Sequence, residues 1–268
     1  MTGNLEGKVA IIYGGSGSIG SAVARAFARE GAQLFLVGRS RPRLEAVATD
    51  IESAGGSVDI AQLDVLDQAS VEAHSRAAAK HAGGIDIAVN AISIPHDQGT
   101  LLADLSAEEF LRPIEGFLLA QFLTTKAAAP HMGGTRPGVI LSLSEPGARL
   151  AMPGILGHAA AAAAKEAMVR ALAAELAPER IRVIGIRPHA IADAPAAGSF
   201  TSDVFAPLAA RSGQDIATFL AEGPAQSTLL KRLPLLSEVA ETAAFLASDR
   251  SGVMTGTTVN ITAGAVVD

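Results

Sequence analysis

Short, uninterrupted apolar runs alternate along the chain with longer segments in which apolar residues recur at helical spacing. Residues 9–12 (VAII), 33–37 (QLFLV), 58–63 (VDIAQL), 85–90 (IDIAVN), 138–143 (GVILSL), 181–186 (IRVIGI) and 258–261 (TVNI) predict strands. Helical spacing covers 21–30, 42–53, 70–82, 158–176 and 238–247, and two further helices rich in Ala and Leu start at Ser106 and run over 120–131. Gly31 follows the first helix as its C-terminal stop. Strands that are apolar on both faces, each followed by a helix, predict an α/β fold: a doubly wound parallel sheet with helices on both faces, in a single domain. Residues 189–234 have weaker periodicity and several Gly, Pro and Ser residues. They predict an insertion that forms a lid over a site rather than a domain boundary.

Composition narrows the chemistry. With 268 residues the chain suits one large α/β domain. It has no cysteine, which excludes a disulfide scaffold, a thiolate metal site and a catalytic thiol. A net charge of -6 with no long basic run argues against nucleic acid as a partner. Residues 1–8 hold no apolar signal-peptide core, and no apolar run reaches the ~18 residues of a membrane span. The expectation is a cytoplasmic protein without a membrane segment. There is no tryptophan and a single tyrosine, Tyr13.

The first predicted strand runs into Gly14-Gly15-Ser16-Gly17-Ser18-Ile19-Gly20 and then into a helix. Glycines there allow a tight turn and bring backbone N–H groups up to an anion, which the positive end of the helix dipole also attracts. The plain alternative is a tight strand–helix turn with no ligand. The second strand ends Val37-Gly38-Arg39. An acid there suits a ribose 2′-hydroxyl, whereas Arg suits a 2′-phosphate, so a bound dinucleotide is expected to be NADP. An ordinary solvated arginine is the alternative.

From here the chain resembles the short-chain dehydrogenase/reductase family over nearly its whole length. The resemblance rests on Leu5-Glu6-Gly7-Lys8-Val9-Ala10 before the glycine loop, Leu63-Asp64-Val65, Asp86-Ile87-Ala88-Val89-Asn90, Ala173-Ala174-Glu175-Leu176-Ala177-Pro178 with Ile181-Arg182-Val183, Arg187-Pro188 and Thr255-Gly256. It implies a Rossmann-like, NAD(P)-binding oxidoreductase subunit, a homodimer or homotetramer built on two long helices, acting on a small-molecule substrate. It also implies cofactor-binding roles for Gly14, Ser16, Ser18, Ile19, Gly20, Arg39, Asp64, Val65 and Asn90. The apolar balance of 189–234 points to an apolar substrate.

The same resemblance implies an atypical active site. The family reduces carbonyls with a Tyr, a Lys one helical turn later, a Ser and an Asn. Counting back from the Ala173-Ala174-Glu175-Leu176 segment, the Tyr position is His158 and the Lys position Ala162. The Ser position is Glu145, with Ser144 one residue away, and the Asn position is Phe117. Asp193 stands where the family has a Thr near the pyrophosphate, which a carboxylate there would repel. If the fold is kept, Glu145 and His158 face each other as an acid/base pair. Lys165 lies on one helical stripe with His158 and Ala162; it either reaches back toward the missing lysine's place or is a surface or subunit-interface lysine. Ser142 and Ser144 end a strand where such sheets bind ligands, but no Gly-x-Ser-x-Gly elbow surrounds them. His96, His131 and His189 have no metal spacing and are expected to be surface or loop histidines. Three functions remain open: an NADP-dependent reductase with His158 as proton donor, a dehydratase, isomerase, cyclase or lyase using Glu145 and His158, and a non-catalytic subunit.

Overall fold

A computed structural model describes residues 3–199 and 201–268. Seven parallel strands form one sheet in the order β3-β2-β1-β4-β5-β6-β7. They are β1 (Val9–Tyr13), β2 (Gln33–Gly38), β3 (Ser57–Gln62), β4 (Ile87–Asn90), β5 (Gly138–Leu143), β6 (Ile181–Pro188) and β7 (Thr257–Ile261). The helices are α1 (Ser18–Arg29), α2 (Arg41–Ser53), α3 (Gln68–Ala82), α4 (Ala107–Ala128), α5 (Leu156–Leu176), α6 (Thr201–Arg211), α7 (Ile216–Glu222), α8 (Pro224–Ser227) and α9 (Leu236–Ala247). No helix among the described residues is long and apolar enough to cross a membrane.

Alternation along the strands builds two cores. On β1, Ala10 and Ile12 face one layer with Val23 and Phe27 of α1 and Val239 of α9. Val9, Ile11 and Tyr13 face the other, with Val71 of α3, Ala120 of α4 and Val169 of α5. Both faces of the central strands are therefore dry, which is why their sequences read as continuous apolar runs. The single tyrosine belongs to the second core. Its hydroxyl pairs with Ser75 on α3 at 2.8 Å, and burial pushes it up to about 12, the Ser75 bond only partly opposing. Tyr13 is a packing residue and no proton donor at neutral pH.

Two sequence expectations change. The helices expected from Ser106 and over 120–131 are one helix, α4, with Pro113 inside it, followed by a short 3-10 turn, Ala129–His131. A capping box between Ser106 and Glu109 starts α4 firmly enough for it to continue past the proline. Residues 189–234 hold three helices, α6 to α8, with Leu220, Ala225 and Leu233 as a small core of their own. α4 packs against α5 and leaves Leu119, Phe122 and Leu156 exposed.

Candidate active site

The strand order reverses between β1 and β4, and the loops after these strands open a crevice at their C-terminal ends. The glycine loop forms one wall. Gly14 has φ +83°, and a Cβ there would stand 2.3 Å from the Ala91 carbonyl oxygen. A Cβ on Gly20 would stand 2.1 Å from the Gly14 carbonyl oxygen. Only glycine fits either position. Helix α1 then starts at Ser18 with Gly17 as N-cap and no side chain accepting its first N–H groups. Asp67 and Ser106, by contrast, cap α3 and α4 with their side chains.

This end of the crevice holds about 240 Å³ and is lined by Gly14, Ser16, Ser18, Arg39, Asp64 and Val65, all expected from the sequence. Asp64 also accepts from the backbone N–H of Leu66 at 3.0 Å. Two expected residues stand behind the wall instead. Gly20 packs beneath Gly14, and Asn90 is buried, its side-chain oxygen accepting from the Thr124 hydroxyl at 2.6 Å. Asp193 is a further correction. Its carboxylate accepts from the Leu236 N–H at 2.9 Å, at the start of α9, and lines neither end of the crevice. Sequence reasoning passed over Arg43, on the first turn of α2 beside Arg39, which also lines this pocket.

The crevice continues into a second space of about 250 Å³. Gly17, Ser18, Ala91, Ile92, Ser93 and Ser199 line both ends, so the two form one cleft. Ile19 lines this second end. Its walls are mostly apolar: Leu150, Met152 and Ile155 from one side, Val204, Phe205 and Leu208 of α6 from the other.

His158, on the first turn of α5, faces this space, but its partner is not the expected one. Its Nδ1 lies 3.1 Å from Nε2 of His96, the two rings lying within 10° of parallel. The protons can be assigned. His96 Nδ1 is 2.7 Å from the Ile94 carbonyl oxygen, which only accepts, so Nδ1 carries a proton, and in the neutral ring Nε2 accepts. His158 must then donate from Nδ1, and the Gln98 amide nitrogen, 3.1 Å from the same Nε2, donates too. His158 Nε2 is left with a lone pair and no hydrogen-bond partner among the described residues. The ring edge rests on Gly147, where a Cβ would come within 2.7 Å of it. His96, expected as a surface or loop histidine, lies in the loop after β4, and there it meets the His158 ring.

Glu145 accepts from Lys165 Nζ at 2.9 Å rather than from His158. Lys165 is no surface lysine: it is 4% exposed, with Nζ 4.4 Å from the centroid of the Phe117 ring. Phe117 also packs edge-on against His96, at 5.7 Å between centroids. Burial raises the Glu145 carboxyl, but the charges of Lys165 and the neighbouring histidines outweigh it and hold the group below the usual range. Ser144 lines the same space, with its hydroxyl already engaged. Its hydroxyl donates to Glu166 at 2.9 Å, and Glu166 is held by Arg187, which also grips Asp268. Ala162 is fully buried. His189 lines the cleft and is lowered by burial.

Burial drives His158 down to about 4; Glu145 opposes this, and His96 and Lys165 add to it. The imidazole is neutral at pH 7. The effect on stability has a definite sign. From the ordinary 6.5 down to about 4, the unfolded chain holds the His158 proton more tightly than the folded one. Stability is therefore full above pH 6.5 and falls as the pH drops toward 4, by on the order of 3 kcal/mol for this group. His74 and His189, also lowered by burial, act in the same direction. Urea unfolding at pH 7 and pH 4.5 should show the loss, and His158→Gln should remove most of it; an unchanged slope in the variant would refute the assignment.

Comparison with known proteins places this architecture. The family described as "Enoyl-(Acyl carrier protein) reductase" matches residues 14–265. Oxidoreductase UcpA of Salmonella typhimurium is 35% identical over 256 residues, covering 95% of this chain and 93% of that protein. The 3-oxoacyl-[acyl-carrier-protein] reductase FabG of Thermotoga maritima is 30% identical over 268 residues, covering 98% and 99%. A short-chain dehydrogenase of Burkholderia cenocepacia J2315, solved in complex with NADP, superposes with a TM-score of 0.82 at 26% identity, covering 98% of this chain and 99% of that one. The chain belongs to the short-chain dehydrogenase/reductase family.

Proposed function

We propose that this protein is an NADP(H)-dependent oxidoreductase of small apolar alcohols or ketones, in which His158, oriented by His96, replaces a phenol as the acid/base group. One observation carries the reading. A single cleft leads from two arginines, past an uncapped helix N-terminus, to an imidazole that lines a mostly apolar space.

The residues fit the cofactor. The free N–H groups of α1 suit a pyrophosphate. Arg39 and Arg43 suit a 2′-phosphate, and Asp64 and Val65 suit an adenine. The bound Burkholderia cenocepacia relative supports the same class of cofactor. NADP(H), when bound, supplies the hydride chemistry. In the oxidative direction His158 Nε2 takes the substrate's hydroxyl proton. The positive charge that results on the imidazole is favoured by the Glu145 carboxylate. In the reductive direction Nε2, which holds no proton in the resting ring, first takes one up from solvent and passes it to the carbonyl oxygen. The Lys165–Glu145 pair holds the carboxylate in place, and Phe117 supports both Lys165 and His96.

A second reading is favoured by the low His158 value: a neutral base suits proton abstraction beside a carbonyl, without hydride transfer. Calorimetric titration separates the two. NADPH should bind at low micromolar concentration, and NADH should bind about tenfold or more weakly, a gap of ~1.4 kcal/mol that Arg39→Ala should narrow. Failure to bind either nucleotide would eliminate the reductase reading.

A further inference from the structure

One contact in the cofactor end goes beyond binding. Arg43 donates from Nη2 to the Gly198 carbonyl oxygen at 3.0 Å, and both residues line the pocket beside Arg39. Gly198 has φ +69°, a left-handed turn conformation that favours glycine. Nε and Nη1 of Arg43 have no partner among the described residues. A guanidinium carries five N–H donors in a fixed fork, so one edge can grip a phosphate while Nη2 keeps the carbonyl.

The neighbouring residue extends the contact to the substrate end. Ser199 lines both ends of the cleft, and its hydroxyl oxygen accepts from the Thr201 N–H at 3.2 Å and from the Thr201 hydroxyl at 2.9 Å, at the start of α6. Helix α6 then brings Val204, Phe205 and Leu208 to the substrate end. The Gly198–Ser199 turn thus bridges the adenosine end and this apolar wall. A lone exposed arginine–carbonyl bond is weak, because holding the side chain costs rotamer freedom. A phosphate on its other edge would fix the guanidinium and, through it, the turn.

We propose that Arg43 couples the two ends of the cleft: a 2′-phosphate on the cofactor clamps Arg43, Arg43 clamps the Gly198–Ser199 turn, and α6 settles over the substrate space. The coupling rests on the NADP(H) reading and adds to it. A cofactor without the 2′-phosphate leaves α6 as mobile as in the free protein. Arg43 is a positioning residue, and the discrimination between the two nucleotides is expressed in lid order as well as in affinity.

Backbone hydrogen exchange over residues 201–211 of the full chain tests this with two probes, 2′,5′-ADP and 5′-AMP. In the wild type, saturating 2′,5′-ADP should slow exchange there by about threefold or more, and saturating 5′-AMP should not. Arg43→Ala, saturated with 2′,5′-ADP, should lose the slowing. Arg39→Ala should bind more weakly yet keep it once saturated. Arg43→Lys, which keeps the charge but not the fork, should restore binding better than it restores slowing. Equal slowing by both nucleotides, or full slowing in saturated Arg43→Ala, overturns the coupling. If 2′,5′-ADP fails to bind the wild type at all, the NADP(H) reading itself falls, and the coupling with it.

Discussion

Replacing His158 by glutamine should lower turnover by on the order of 10² to 10⁴-fold while leaving NADPH affinity within about twofold of the wild type. The side chain stands at the substrate end of the cleft, away from Arg39, Asp64 and the glycine loop, so cofactor binding has no reason to change. Glutamine keeps a donor for His96 Nε2 but has no basic nitrogen at the cleft. His96→Ala should also lower turnover, by less, because it removes the acceptor that fixes the His158 tautomer. Its signature differs from that of His158→Gln: the base survives but titrates differently, so the pH profile of kcat moves. Steady-state kinetics on both variants with NADPH and a panel of apolar ketones supplies the check. Full activity in His158→Gln would remove the imidazole from the chemistry.

The largest stability effect is expected at Arg187. It is 1% exposed and makes two bonds to Glu166, at 2.7 and 2.8 Å, and two to Asp268, at 2.7 and 2.9 Å. Arg187→Met strands the Glu166 carboxylate in the interior, with Ser144 and the distant Arg149 guanidinium, 3.9 Å away, as its remaining partners. Breaking a buried pair by removing one member costs about 3–5 kcal/mol. For a chain of this size that lowers Tm by roughly 10 °C. The double variant Arg187→Met with Glu166→Met should recover much of the loss, because the cost lies in the unpaired charge rather than in the missing contact. Thermal unfolding of the two variants distinguishes this from simple loss of packing, which the double variant would only worsen.

Much of the fold is legible in the sequence because the central strands are dry on both sides. Ala10 and Ile12 pack one way and Val9 and Ile11 the other, so each strand is an apolar run without alternation. Pro113 obscures α4, since a proline suggests a break and only the capping box at Ser106 and Glu109 reveals the continuing helix. In the site, Gly14, Ser18, Arg39 and Asp64 are legible as lining residues because consecutive strand–turn–helix units place them at the crevice. Arg43 carries the same local signal, a basic residue one helical turn beyond Arg39.

The histidine pair is not legible in the same way. His96 lies 62 residues before His158, in a segment without regular structure, and only the path of the chain after β4 brings the two rings together. Lys165 lies on the right helical stripe for the cleft. Its burial depends on Glu145 accepting its charge and on Phe117 lying beneath it, three residues from three separate segments. Such pairings depend on tertiary packing, which periodicity does not encode. Asp193 fails in the converse sense: its place in the chain suggests a clash with a pyrophosphate, but the N–H of Leu236 takes it up.

The central claim is that His158 stands neutral in the cleft, protonated on Nδ1 toward His96, with Nε2 free to take a proton. Nitrogen-15 NMR of the imidazole, followed from pH 8 to pH 4, measures this directly. The account predicts a neutral ring with Nδ1 protonated through most of this range, titrating only as the pH approaches about 4. A ring protonated on Nε2, or one that titrates at its ordinary 6.5, would contradict it.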